Sequence, residues 1–387
     1  MIGMDERKRQ MAVIRQGDQY ICAVLDGNAL DDVIVEGADE RALRIGDIYV
    51  GRVDHVVKNI QAAFVEVQRQ IMCYLPLREC GSEKAVAGQE FAVQVKKAAV
   101  KAKQAVVTQN LEFSGTYAVV TVLNRAKTIS TKIKEESVRR RLLQLLAAYE
   151  DAPFGIILRT GCQKAGEEQI RAECERLLYE AEMVVNRSKS RTRFTTLYRA
   201  DMELIKYVRD GKREAFDRII TDEREIYEML KKEPACSGEE IVFYDDDQYP
   251  LDKLLGIHAK LEKAKKKHVW LKSGGSLVIE PTEALTVIDV NTQKAIEGKR
   301  NCETTFFRVN MEAAREAARQ IRVRNLSGII LIDFIDMKER AHEEAVLQEL
   351  RKEFEKDPVR TTVVDMTKLG LVEITRMKVR KPLHESL

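Results

Sequence analysis

The chain has 387 residues, of which 44% are hydrophobic and 33% charged, and its formal net charge is only +3. That length supports two or three globular units, and the near balance of charge excludes a polycation, so any nucleic-acid surface must be a local patch set against acidic faces. No run approaches the roughly 18 apolar residues of a membrane span. The charged start MIGMDERKRQMAV has no signal-peptide core. Seven cysteines (Cys22, Cys73, Cys80, Cys162, Cys174, Cys236, Cys302) without a CxxC pair read as the reduced thiols of a cytoplasmic protein.

Residues 1 to 43 carry short strand patterns at 19–25 and 31–36. Residues 44 to 110 alternate strongly, in the runs IYVGRV, AAFVEV, MCYLPL, EFAVQV and QAVVTQ. Five short strands separated by turn residues are what an OB-fold barrel requires. From 116 to about 200 the pattern is mixed: a strand YAVVTVL, a helix over 135–149, a strand GIILRT and a helix over 165–186. Residues 200–265 are charged and mostly helical, with a hairpin predicted near 241–249. The basic runs at 187–193 and 260–267 read as solvated loop or helix face.

From Val269 to the end the pattern is an α/β unit that carries the most chemistry. Two apolar runs, LTVIDVN at 285–291 and GIILIDFIDM at 328–337, each end in acids. Runs of this kind are central strands of a covered sheet, and the carboxyl ends of such strands form the ligand crevice. Between them Asn310 is placed to cap a helix over 311–324, and Gly328 supplies the turn into the second strand. A helix over 339–355 and a strand over 361–366 follow. Strand–helix–strand connections make parallel strands that are often neighbours, so Asp289 and Asp333 are expected side by side. Mg²⁺ is typically held by one or two carboxylates plus substrate phosphate. Asn291 lies two residues after Asp289 and faces the same way on a strand. Asp336, three residues beyond Asp333, would point to the other face and is read as structural. The five histidines (His55, His258, His268, His342, His384) show no ligand-like spacing, and no Walker, GxSxG or HExxH motif is present.

TVIDVN, Glu303-Thr304, Asn310 to Ala314, ARQIRVRNLSGIILIDFIDM and KLGLVEITR together resemble the catalytic half of the ribonuclease E/G family. GDIYVGRV, QAAFV and YLPL resemble the family's RNA-binding domain, and ILRT resembles its 5′-end sensor, in the same order along nearly the whole chain. The resemblance implies a multidomain α/β protein. A ribonuclease-H-like domain without catalytic residues would be formed by 1–43 with 204–265. An OB-fold RNA-binding barrel at 44–110 would be inserted in it, followed by a 5′-sensor subdomain at 111–203. A deoxyribonuclease-I-like catalytic domain would occupy 266–387.

The implied activity is a Mg²⁺-dependent, single-strand-specific endoribonuclease that leaves 5′-phosphate and 3′-hydroxyl ends, acting in rRNA processing and mRNA decay. Asp289 and Asp333 would hold one Mg²⁺, and Asn291 would hydrogen-bond the second aspartate. By periodicity alone Phe64 and Tyr74 read as core; the resemblance makes them base-stacking aromatics, with Lys103 and Arg360 as further RNA contacts, Arg360 beside the active site. Arg159 and Thr160, by themselves a solvated strand end, become the grip on a 5′-monophosphate, with Gly115 and Val119 lining the pocket. Thr131-Lys132 stands where related proteins carry Arg-Arg, a departure that bears on the strength of sensing. The family's cysteine pair and small dimerisation domain do not follow residue 376, so no structural zinc and a monomer or weak homodimer are expected. Two other classes remain to be weighed: a catalytically silent RNA-binding protein of the same fold, and a metal phosphodiesterase acting on small nucleotides.

Overall fold

Apolar alternation organises the chain into a mixed α/β protein. A computed structural model describes residues 9–38, 42–81, 85–99, 103–163, 165–209, 216–233, 236, 238–246, 248–292 and 302–387. Two compact units are formed, one from residues 1–39 with 212–387 and the other from 40–211.

In the second unit the strands Ile48–Val57, Ala62–Gln68, Ile71–Pro76, Val106–Thr108 and Glu90–Lys97 are neighbours in that order. The last also pairs with the first, closing a five-stranded barrel. These are the five runs whose alternation is visible in the sequence. Their inward residues, among them Val53, Val65, Cys73, Leu75, Val93 and Val107, form a closed core. Gly51 lets the shared strand close on both neighbours, because a Cβ there would lie 2.5 Å from the Val65 side chain. The same unit contains a four-stranded sheet in the order Lys127–Ile129, Gly155–Leu158, Ala118–Thr121, Glu112–Ser114. The helices Glu136–Ala147 and Glu167–Ser188 contribute Leu142, Leu146, Ile170 and Leu177 to the core it shares.

The first unit holds two sheets. One has the order Glu240–Phe243, Arg218–Thr221, Arg9–Gln16, Gln19–Asp26, Ala29–Gly37, with the first three strands parallel. The hairpin expected near 241–249 is absent: Glu240–Phe243 pairs in parallel with Arg218–Thr221, and the helix Arg224–Lys232 lies between them in the chain. A parallel pair needs such a crossover and cannot be joined by a tight turn.

The other sheet runs His268–Trp270, Ser276–Pro281, Leu285–Asn291, Gly328–Asp333, Leu371–Arg376, Thr361–Met366. Its buried face meets the helix Cys302–Val323 through Ala313, Ala314, Ala317, Ala318 and Ile321, small side chains that allow close approach. That helix starts well before the expected residue 311. Asn310 is therefore not its cap but a fully buried interior residue, whose side chain bonds both the carbonyl (2.8 Å) and the N–H (3.1 Å) of Ile335. Gly328 does make the turn into the second strand, with φ at +86°, a conformation glycine adopts at little cost. Arg322, 3% exposed, joins the long helix to the N-terminal sheet by a 2.6 Å bond to Asp31.

A second ion pair secures the far edge of this sheet. The Arg376 guanidinium bonds Asp357 through Nε at 2.8 Å and through Nη2 at 3.2 Å, while Nη1 donates to Asn325 and to the Leu326 carbonyl. Both side chains of the pair are withdrawn from water. Asp357→Ala would strand a buried guanidinium, so a loss of about 3–5 kcal/mol is expected in urea denaturation. A change near zero would show that the guanidinium finds water or another acceptor.

Candidate active site and nucleic-acid interface

Leu285–Asn291 and Gly328–Asp333 run parallel as direct neighbours, and the register sets Asp289 opposite Asp333. Along the first strand Thr286, Ile288 and Val290 are buried, so Asp289 and Asn291 project together from the less covered face. Along the second, Ile330 and Ile332 are buried and Asp333 emerges at the end. Two carboxylates therefore meet at the carboxyl edge of the sheet, held there by the backbone ladder.

Asn291 donates from Nδ2 to Asp289 Oδ2 at 2.6 Å. The resemblance had implied a bond to the second aspartate, Asp333; the shared face of one strand brings the amide to Asp289 instead. Desolvation, with the charges of Asp289 and Asp336 adding to it, holds the Asp333 carboxyl above the usual carboxylate range. Asp336 is exposed, and the strand stops at Asp333, so the alternation argument that sent Asp336 to the opposite face does not apply. Among the described residues no lysine or arginine forms an ion pair with Asp289 or Asp333.

Arg360 does not sit beside these acids. It precedes the edge strand Thr361–Met366, where Thr361 pairs with Arg376 and Arg376 with Gly328. Arg360 thus lies near the start of the Gly328–Asp333 strand, about 17 Å in strand length from its acidic end at 3.3 Å per residue. Its side chain is exposed.

In the other unit Phe64 and Tyr74 are register partners on adjacent barrel strands, half-buried on the outward face. Their rings meet edge to face with centroids 6.1 Å apart. Lys103 is exposed just ahead of Val106–Thr108, the strand that runs beside Tyr74.

Arg159 and Thr160 follow the strand Gly155–Leu158 directly. The Arg159 guanidinium donates to the Gly115 carbonyl, and its backbone N–H donates to the Tyr117 carbonyl at 2.7 Å. Gly115 and Arg159 help to line a cavity of about 350 Å³ with Gln94, Ser114 and Arg209. Val119 and Thr160 are outside that lining; Val119 sits on the adjoining strand, paired with Ser114 and Ile157.

A sequence model of the ribonuclease E/G family matches residues 112–379. Ribonuclease G of Escherichia coli strain K12 is 34% identical, over 94% of this chain and 79% of that protein. The chain belongs to the ribonuclease E/G family. Ribonuclease G of Haemophilus influenzae is 32% identical over 94% of the chain and 78% of its own length. Ribonuclease E of Escherichia coli strain K12 is 31% identical over 98% of the chain, which spans 38% of that longer protein.

This family member also has positioning groups that sequence patterns did not single out as such. Glu303 accepts the N–H groups of Lys338 and Glu339, so with Asn310 the long helix grips the segment after Asp333 at two points. An amide and an acid within an apolar helix face were the available signal, and Asn310 had been read as a helix cap. Glu173, on the helix Glu167–Ser188, accepts the N–H groups of Thr116 (3.0 Å), Tyr117 (2.6 Å) and Ala118 (2.9 Å). It fills the space behind Gly115, where a Cβ would lie 2.3 Å from its Oε1. A side chain at 115 would require that carboxylate to move and loosen its three N–H bonds. Nothing local in the sequence links positions 115 and 173.

The two acids are coupled in a way that can be measured without metal. A carboxyl raised in the folded state stabilises the fold fully below the ordinary carboxylate range, and that contribution is lost as pH rises through the raised value. Asp289→Asn removes one neighbouring charge, so the Asp333 carboxyl in metal-free protein is expected to titrate lower than in the wild type. Carbon-13 NMR titration of the aspartate carboxyls reads this directly. An unmoved Asp333 would contradict the pairing.

Proposed function

We propose that this chain is a divalent-metal-dependent endoribonuclease that cleaves single-stranded RNA to leave 5′-phosphate and 3′-hydroxyl ends. The observation that carries the reading is the in-register pair Asp289 and Asp333 at the carboxyl edge of the sheet, in a chain whose relatives are named ribonucleases. The donor set fits Mg²⁺: two hard carboxylates set opposite each other in register, with no lysine or arginine ion-paired to either among the described residues. When bound, the cation would supply positive charge to polarise the phosphodiester and acidify water. Asp289 and Asp333 would hold it. Asn291 fixes the orientation of the Asp289 carboxylate, and Asn310 with Glu303 keep the segment beyond Asp333 from drifting.

Preference for a single strand follows from the barrel. Phe64 and Tyr74 stand half-buried on the outward face, aromatic groups of the kind on which unstacked bases stack, and exposed Lys103, just ahead of the strand beside Tyr74, suits the phosphate backbone. Arg360, exposed on the edge of the catalytic sheet, is read as a backbone contact away from the acids. Arg159 is read as the grip on a 5′-monophosphate, a planar fork suited to phosphate oxygens, with Thr160, Gly115 and Val119 around it. Its present bond to the Gly115 carbonyl keeps the fork in place beside the cavity. The finer partition follows the same reading: barrel at 44–110, 5′ sensor at 111–203, ribonuclease-H-like fold at 1–43 with 204–265, and a deoxyribonuclease-I-like fold at 266–387. Ribosomal RNA precursors and messengers in the cytoplasm are the proposed substrates.

Asp289→Asn and Asp333→Asn should each reduce cleavage of a labelled, unstructured RNA below about a tenth of the wild-type rate in Mg²⁺, since each 1.4 kcal/mol of lost charge stabilisation is tenfold. RNA binding should persist, because less negative charge faces the phosphates. Either variant retaining more activity than that would place the chemistry elsewhere.

A further inference from the structure

The barrel's outward face carries a third ring. Val53 on the strand Ile48–Val57 is fully buried, so strict alternation would turn His55, two residues on, into the core as well. The pairing slips instead. Val53 is opposite Val65, and the next partners are His55 and Phe64, so two residues, Asp54 and His55, face one. Such a bulge re-aims the side chain that follows it, and both Asp54 and His55 end up exposed.

The outcome is a row of rings across three strands. The imidazole of His55 lies nearly flat on Phe64, with centroids 4.7 Å apart and 17° between planes, and Phe64 and Tyr74 in turn meet edge to face. His55 Nδ1 is 2.7 Å from Asp54 Oδ2, a bond that sets the tilt of the ring. With one face of the imidazole against Phe64 and 53% of the side chain in water, the free surface is the opposite face. The imidazole thus occupies one face of Phe64, so a base approaching that face must either continue the row or displace the imidazole.

We infer that His55 is a third stacking surface for single-stranded RNA: an unpaired base seats on the outer face of the imidazole and extends the row Tyr74, Phe64, His55. This rests on the reading of the barrel as the RNA-binding face. The bulge supports it, because without that extra residue the ring would not stand in register with Phe64. The Asp54 contact supports it too, since a ring held at a fixed tilt loses less freedom when a base settles on it.

Fluorescence anisotropy of a labelled, unstructured RNA oligomer, on the full chain with chelator to stop cleavage, tests the inference. His55→Ala should raise the dissociation constant by about tenfold, within the range for loss of one base–aromatic stack. His55→Phe, which keeps a flat ring, should stay close to the wild type. Unchanged or tighter binding by His55→Ala would overturn the inference, and tighter binding would mark the imidazole as a cover that a base displaces. Phe64→Ala in the same assay separates the two levels. If it weakens binding while His55→Ala does not, only the role of His55 falls; if neither weakens binding, the barrel is not the RNA face. The wild type gives a reading that does not depend on any variant folding: the His55 ring protons should move upfield on adding RNA, and ring signals that stay in place would also overturn the inference.

Discussion

Two negative charges stand next to each other here because a backbone ladder puts them there. Asp289 and Asp333 repel, and that repulsion adds to the desolvation that raises the Asp333 carboxyl. What holds them is the parallel pairing from Leu285 with Ile329 through Asp289 with Asp333, backed by apolar side chains buried against the long helix. The alanines of that helix allow the close approach, while Asn310 and Glu303 tie its first half to the segment that follows Asp333. The stability of the sheet therefore keeps in place a pair that its own electrostatics would separate. Such a pair is most useful when a cation neutralises it.

The second unit solves a similar problem for a loop. Residues 115–118 turn sharply between two short strands, and their N–H groups would be costly to leave unpaired. Glu173 collects three of them on one carboxylate, which a side chain at 115 would displace. Arg159 then completes the arrangement from the neighbouring strand end. In both units a charged or polar group on a long helix fixes a loop that carries the groups proposed to meet RNA.

Much of this was legible in the sequence wherever a periodic pattern coincided with burial. The barrel's five strands follow from alternation in IYVGRV, AAFVEV, MCYLPL, EFAVQV and QAVVTQ, and the acid-tipped strands follow from their β-branched runs. What stayed hidden depends on partners far away in the chain. Asn310 has the chemistry of a helix cap and was read as one, but its amide answers to Ile335. Arg218–Thr221 is a short strand in a charged stretch read as mostly helical, made stable by Arg9–Gln16 more than 200 residues upstream, and Glu240–Phe243, read as part of a hairpin, pairs in parallel with it instead. Arg360 was expected beside the acids, and only the antiparallel register of the last two strands puts it at the other end of the sheet. His55 escaped notice because a single extra residue in a strand reverses every inward–outward assignment after it.

Metal binding tests the central claim more directly than catalysis does, because it asks the carboxylate pair alone. Mn²⁺ titrated into metal-free protein and followed by electron paramagnetic resonance counts bound ions without any RNA. The account predicts one site in the wild type that weakens by about tenfold or more in Asp333→Asn, in line with loss of one of two charged ligands. Equal Mn²⁺ binding by the wild type and the variant would contradict it.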